Sequence, residues 1–137
     1  MLAGAALPVQ AGINVNLRQA LGSPLRASFV QFTIGAIFLL ALTLFARAPW
    51  PAMHALARGP LWIWSGGLLG ALYVLSAIVL VPRLGSAVTF ALIVAGQMGI
   101  SLAIDYFGLF GIPRSPLSLE RIGGGVLLVA GVILIRR

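Results

Sequence analysis

Long apolar runs separated by short polar links dominate the chain. A helix needs about 20 residues to cross a hydrocarbon core of roughly 30 Å, and five segments approach that length. We therefore predict an all-α membrane protein with five transmembrane helices in a single transmembrane domain. The predicted spans are residues 2–21, 27–46, 61–81, 86–107 and 119–135.

The links between the runs carry helix stop and start signals. The first link contains a stop glycine, Gly22, then an N-cap, Ser23, and a first-turn proline, Pro24. One helix therefore ends and the next begins at once. Residues 82–86 repeat this pattern, and such short links predict antiparallel neighbours. The longer link contains residues 53–58, which we expect to form a short interfacial helix. All tryptophans fall at or near span ends, as in an aromatic belt: Trp50, Trp62 and Trp64.

Composition supports a location in lipid. Hydrophobic residues make up 61% of the chain and charged residues 8%. The net charge of +7 would suit nucleic acid in a soluble protein, but the arginines flank the apolar runs and never cluster, so we expect lipid contact and no nucleic acid. The chain has no cysteine and only one histidine, His54, so we expect no metal site and no cofactor. The N-terminus lacks the positive region of a signal peptide and continues into the first span.

The arginines give almost no preference for one orientation in the membrane. With five spans, one side carries Arg47, Arg58, Arg114 and Arg121, and the other carries Arg18, Arg26, Arg83, Arg136 and Arg137. A chain without a positive-inside bias can insert both ways, so we predict an inverted pair of copies. The alternative is that a misplaced span distorts the count.

Polar side chains inside the spans must face protein or a watery cavity. We predict that four of them line a substrate site: Gln10, Asn14, Tyr73 and Gln97. The alternative is hydrogen bonding that holds the helices together. This alternative stays open for Gln10, Asn14 and Gln97, and it is favoured for Tyr73, Gln31, Ser76 and Ser101.

Charged and small residues in the spans suggest further roles. Asp105 is the only carboxylate placed to enter the membrane, so it is our candidate for coupling to a proton or cation; pairing with an arginine such as Arg114 is the alternative. Glu120 complements the dipole of the fifth helix. Close helix or dimer packing is expected at four glycines: Gly66, Gly70, Gly124 and Gly131.

Catalytic signatures are missing from the sequence. It has no P-loop, no paired carboxylates, no metal-ligand cluster and no nucleophile–base set. We therefore predict that the protein is not an enzyme and not an ATP-driven pump.

Taken together, these motifs resemble the YdcZ-like family of the drug/metabolite transporter superfamily. Their order and spacing carry the resemblance over nearly the whole chain. The matching pieces are Gln10-x-x-x-Asn14, Leu21 to Pro24, Ser28-Phe29, Gly35, Gly66 to Val74, Pro82 to Gly85, Gly96-Gln97, Asp105 to Gly111 and Pro116 to Ser118.

The resemblance implies a small, multi-pass protein of the bacterial inner membrane, equivalent to half of a ten-helix EamA-like inverted-repeat transporter. The fifth-span glycines also look like the dimer-forming helix of small multidrug resistance transporters. Those transporters carry a glutamate in the first helix, where this chain has Gln10 and Asn14, so proton-coupled export of cations is not expected. Because the first span begins so near Met1, we expect the chain to be shortened relative to its relatives.

From this we predict a secondary transporter subunit that moves a small polar metabolite or drug-like compound as an antiparallel homodimer. The substrate would bind near the midplane between the first, third and fourth helices. Two alternatives stay open: a non-transporting subunit that assembles with another membrane protein, and one half of an obligate heterodimeric transporter.

Overall fold

The computed structural model describes residues 2–47, 49 and 60–136. Within them the chain is helical and contains no strand. The helices are α1 (Leu2–Leu21), α2 (Pro24–Phe45), α3 (Ser65–Leu84), α4 (Ser86–Phe107) and α5 (Leu119–Arg136), with 3-10 turns at Leu61–Trp64 and Leu109–Gly111. Predictions that involve Trp50, His54, Arg58, residues 53–58 and Arg137 lie outside the described residues.

Among the described residues, three helical segments are long and apolar enough to cross a membrane: Pro24–Phe45, Leu61–Leu84 and Ser86–Phe107. α1 and α5 are more polar than these three segments. The second half of α1 carries three amides and Arg18, and α5 carries charges at both ends. Most large apolar side chains are exposed in the described chain. The apolar residues that are buried are Ala11, Ala27, Val74, Ala77, Ile78 and Val132. A surface of this kind requires lipid around it.

The chain divides into two compact units, Met1–Arg83 and Leu84–Arg137, which are described separately. In the first unit, α1 and α2 pack as a hairpin. Gly22 adopts a left-handed φ of 69°, and the Ser23 hydroxyl accepts the Arg26 backbone N–H at 3.5 Å while Pro24 opens α2. This stop-and-start arrangement is the one the sequence indicates.

The apolar core of the first unit is small and is built around α3. Ala27 of α2 packs with Val74 and Ile78 of α3, and Leu17 and Tyr73 pack against them. Three helices of the unit therefore meet at one short apolar cluster, one turn from the polar residues of α1.

Pro82 lies inside α3, although the sequence predicts that the third span ends at residue 81. Proline has no N–H, so the carbonyl of Ile78, four residues earlier, has no helical donor. The Arg18 Nη1 of α1 donates to this oxygen at 3.1 Å. Arg18 is half-buried, and this hydrogen bond joins α1 to α3. α3 continues past the proline to Leu84.

In the second unit, α4 packs against α5 and ends in a tight loop. Gly108 caps α4 with a φ of 65°, and a Cβ at this position would lie 2.6 Å from Arg114 Cγ. The Ser115 backbone N–H donates to the Asp105 carbonyl at 2.9 Å. The loop is thereby folded back on the end of α4, where it sets the start of α5.

Candidate functional site

An amide pair joins α1 to α2 in the first unit. Asn14 is only 4% exposed, and its Nδ2 donates to Oε1 of Gln31 on α2. The short turn at Gly22 and Ser23 returns the chain so that these two side chains, 17 residues apart, meet. An amide group buried in an apolar medium costs free energy if it has no hydrogen-bond partner. This pair therefore favours the arrangement in which these faces of α1 and α2 meet.

A cavity of about 590 Å³ lies beside this pair. Its walls come from α1 and α2 and are apolar apart from three amides. The lining residues are Leu2, Ala5, Ala6, Val9, Gln10, Ile13, Asn14, Leu17, Gln31 and Ile34. Gln10 lies one turn before Asn14 on the same face, and among the described residues its amide makes no hydrogen bond. An apolar cleft with a few convergent polar groups is the usual form of a small-molecule site.

Two buried hydroxyls of the first unit also lack partners. Within the described part of the chain, neither Ser28 Oγ nor the Tyr73 hydroxyl has a hydrogen bond. By contrast, Thr33 and Ser76 donate to the carbonyls four residues before them, at 2.9 and 2.7 Å. Tyr73 therefore keeps a donor that a ligand or water could use, next to the apolar cluster where α3 meets α1 and α2.

Gln97 and Asp105 belong to the second unit. Gln97 is exposed on α4, and the structure gives it no partner among the described residues. Asp105 Oδ2 forms an ion pair with Arg121 Nη1 of α5 at 3.4 Å. Pairing of Asp105 with an arginine is thus confirmed, but the partner is Arg121 and not the example Arg114, whose Nε donates to the Phe107 carbonyl at 3.3 Å. The Ser118 hydroxyl caps α5 by accepting the Arg121 backbone N–H, which directs this arginine toward α4.

The glycines predicted for close packing differ in what surrounds them. A Cβ at Gly70 would lie 3.9 Å from Phe32 of α2. Among the described residues, no atom would lie within 4 Å of a Cβ added at Gly66, Gly124 or Gly131. In the second unit, Gly125 faces a neighbouring helix. A Cβ at Gly125 would lie 3.7 Å from Leu102 Cδ1 of α4.

The second unit contains a cavity of about 670 Å³ between α4 and α5. Small and apolar side chains form nearly all of its wall, among them Gly99, Leu102 and Gly125. It offers no cluster of convergent amides such as the α1–α2 cavity has. The first unit therefore holds the better candidate for recognising a polar ligand.

The sequence favours interhelical hydrogen bonding for Gln31, and its contact with Asn14 of α1 confirms this; the structure adds that Gln31 also lines the cavity. It lies early in α2 between Ser28 and Thr33, and nothing in its spacing indicates which residue of α1 it meets. The structure brings it together with Gln10 and Asn14. Gln31 is the one amide of α2, and an amide in a largely apolar span is the signal that could have indicated a cavity position.

Comparison with known proteins agrees with this membrane setting. The family described as "Putative inner membrane exporter, YdcZ" matches residues 1–134. The inner membrane protein YdcZ of Escherichia coli (strain K12) is 29% identical over 135 residues, which cover 98% of this chain and 90% of that protein. No solved structure shows a significant match. The chain is thus a protein of the inner membrane and belongs to the YdcZ family.

Proposed function

We propose that this protein is a secondary transporter subunit that carries a small molecule across the inner membrane. The observation that carries the proposal is the Asn14–Gln31 pair, buried beside a cavity of about 590 Å³ in a chain of an exporter family. Gln10 supplies a further hydrogen-bonding group in the cavity wall, whereas Tyr73, also proposed for the site, packs against the neighbouring apolar cluster. A substrate with polar groups and an apolar body would suit this lining.

The proposed assembly is an inverted homodimer of five-span subunits, each equivalent to half of a ten-helix transporter. The arginine balance supports it. Four arginines belong to one side of the five-span arrangement and five to the other, a difference of a single charge: Arg47, Arg58, Arg114 and Arg121 against Arg18, Arg26, Arg83, Arg136 and Arg137. A chain with nearly equal numbers of positive charges on its two sides has little electrostatic preference for one orientation in the membrane.

Transport would proceed by alternating access, in which the helices rearrange around a central site. The Asn14 amide donates one N–H to the Gln31 side-chain oxygen. Each of the two amides has further donors and acceptors that this hydrogen bond does not use. A bound substrate would engage those groups and change the contact between α1 and α2. Asp105 is the proposed coupling residue, released from Arg121 when it takes up a proton or cation.

Two other roles compete with this proposal. A non-transporting assembly subunit would use the same amides only to hold helices together. One half of an obligate heterodimer would need a partner chain of opposite charge bias. Flux through liposomes that contain only the purified chain separates transport from both alternatives.

The experiment starts with a thermal-stabilisation screen of the purified protein across metabolites. The stabilising compound is then followed into proteoliposomes. We expect Gln10→Ala to lower uptake of this compound severalfold, because Gln10 lines the cavity. Gln97→Ala tests whether the second unit also contributes to substrate binding. If Gln10→Ala and Gln97→Ala both leave uptake intact in folded protein, the proposed site is wrong.

A further inference from the structure

We propose that the α1–α2 cavity binds a small organic anion, a carboxylate with an apolar body, and that Arg18 selects for its charge. This inference rests on the proposed function, because it names the substrate class of the same site.

The charges of the first unit are all of one sign. Its described residues include Arg18, Arg26, Arg47 and Arg83, whereas residues 1–104 contain no aspartate or glutamate. Side chains of this unit therefore offer no negative charge to its arginines. A cationic ligand would meet repulsion here, and an anion would meet attraction.

Arg18 does not line the cavity itself, but it is the arginine that directly follows a lining residue of α1 in the chain. It follows Asn14 by four residues on α1, which is about 6 Å along the helix axis and on the same face. The cavity wall reaches Leu17, its neighbour in the chain. Arg18 is half-buried, so its charge is screened less than that of an exposed arginine.

The hydrogen bond that Arg18 makes does not neutralise it. Nη1 donates to the Ile78 carbonyl, which is a neutral group, and a guanidinium has five N–H donors in all. A partly buried charge without a counter-charge is unfavourable. An anion in the neighbouring cavity would relieve this, with the Asn14, Gln31 and Gln10 amides as additional N–H donors to its oxygens.

The test uses three ligands of nearly identical shape: benzoate, benzamide and benzamidinium. Their binding to the purified full chain in detergent is measured by ligand-observed NMR titration. We expect benzoate to bind most tightly and benzamidinium most weakly. Arg18→Gln should weaken benzoate about tenfold, as expected for loss of an opposite charge at intermediate dielectric, while benzamide changes by less than about twofold.

Because Arg18 also donates to Ile78, a second variant separates charge from structure. In Arg18→Gln/Pro82→Ala, residue 82 regains an N–H for the Ile78 carbonyl, so the helix no longer needs the arginine. The loss of benzoate preference should persist in this variant. Arg83→Gln, which removes an exposed arginine of the same unit, is the matched control and should keep the preference.

The outcomes distinguish the two proposals. If benzoate binds no more tightly than benzamide, or if removing Arg18 leaves their ratio unchanged, the anion inference is overturned while the site stands, provided that Asn14→Leu still abolishes binding. If Asn14→Leu leaves the binding of all three compounds unchanged, the proposed site itself is wrong.

Discussion

Single side chains in the first unit differ in how their hydrogen bonds are satisfied. Asn14 and Gln31 pair with each other, and Arg18 pairs with a backbone carbonyl. The Ser28 and Tyr73 hydroxyls, although buried, have no partner among the described residues. Satisfied pairs fix the positions of the helices, whereas unsatisfied groups are available to a ligand. The two kinds of group lie in the same three helices.

The Asn14–Gln31 contact should be measurable as a coupling energy. Asn14→Leu and Gln31→Leu should each lower the free energy of unfolding, and the double variant should lose less than the sum. We expect a coupling of about 0.6 to 2 kcal/mol, typical of hydrogen bonds between membrane helices. Unfolding in mixed micelles measures it.

Asn16 provides the matched control for this cycle. It lies two residues from Asn14 on α1 but is exposed. Asn16→Leu should therefore change stability little and show no coupling to Gln31→Leu. Strictly additive effects for Asn14 and Gln31 would contradict the observed pairing.

Asp105 is expected to matter for coupling more than for folding. The side chains of Arg121 and Asp105 are 41% and 35% exposed, and such a pair contributes about 1 kcal/mol or less. Asp105→Asn should therefore leave the unfolding transition nearly unchanged. It should abolish the dependence of substrate uptake on a pH gradient, measured in proteoliposomes.

Glu120→Gln is the control for that measurement, because Glu120 is the only other acidic residue of the chain. It lies in the first turn of α5 and should leave gradient-driven uptake intact. Uptake that still follows the pH gradient in Asp105→Asn would exclude this carboxylate from coupling.

Helices are the part of the structure that the sequence predicts best. The apolar runs, Gly22, Ser23 and Pro24 place the starts and ends of α1 and α2 within a few residues of those observed. Contacts between helices follow less directly from sequence, because spacing within one helix does not tell which residue of another helix it meets. Hence the sequence predicts hydrogen bonding between helices for Gln31 but not that its partner is Asn14, and an arginine partner for Asp105 but not that it is Arg121.

Pro82 shows why one boundary was misplaced. A proline removes a backbone donor, so a sequence argument ends the helix before it. In the structure Arg18, 60 residues from Ile78, supplies the missing donor. The compensation comes from a different helix, which local signals around the proline do not reveal.

This compensation predicts a dependence between positions 18 and 82. Arg18→Gln should lower the free energy of unfolding by about 1 to 3 kcal/mol, the cost of leaving a buried carbonyl unpaired. In the Pro82→Ala background the same substitution should cost less than about 1 kcal/mol, because α3 then satisfies Ile78 itself. Unfolding in mixed micelles measures both costs.

Arg26 gives the comparison for this cycle. Its Nη1 donates to the exposed end of α1, at the Leu21 carbonyl, so Arg26→Gln should cost little in either background. An equal cost of Arg18→Gln with and without Pro82 would contradict the donor role of Arg18.

The whole protein buries little of its apolar surface in the described chain. Lipid covers such a surface, and a second inverted copy is proposed to cover part of it. The sequence predicts this setting through composition and arginine placement, since both follow directly from the energetics of charge in a bilayer. It does not determine how copies pair, because apolar faces that suit lipid also suit a partner.

The absence of cysteine makes the proposed dual orientation directly testable. Ser86→Cys and Pro116→Cys introduce one thiol each at exposed positions, at the first residue of α4 and in the loop that follows α4. In intact cells, a membrane-impermeant maleimide should label each variant in part, because both orientations coexist. Complete labelling of one variant and none of the other would establish a single fixed orientation.

Uptake by the purified chain alone tests the central claim most directly. Proteoliposomes containing wild type, Asn14→Leu or Asn16→Leu are compared for uptake of the compound that stabilises the protein. The account predicts robust uptake for wild type and Asn16→Leu, and uptake near that of empty liposomes for Asn14→Leu. Uptake no greater than in empty liposomes for the wild type, or equal uptake by both asparagine variants, would contradict it.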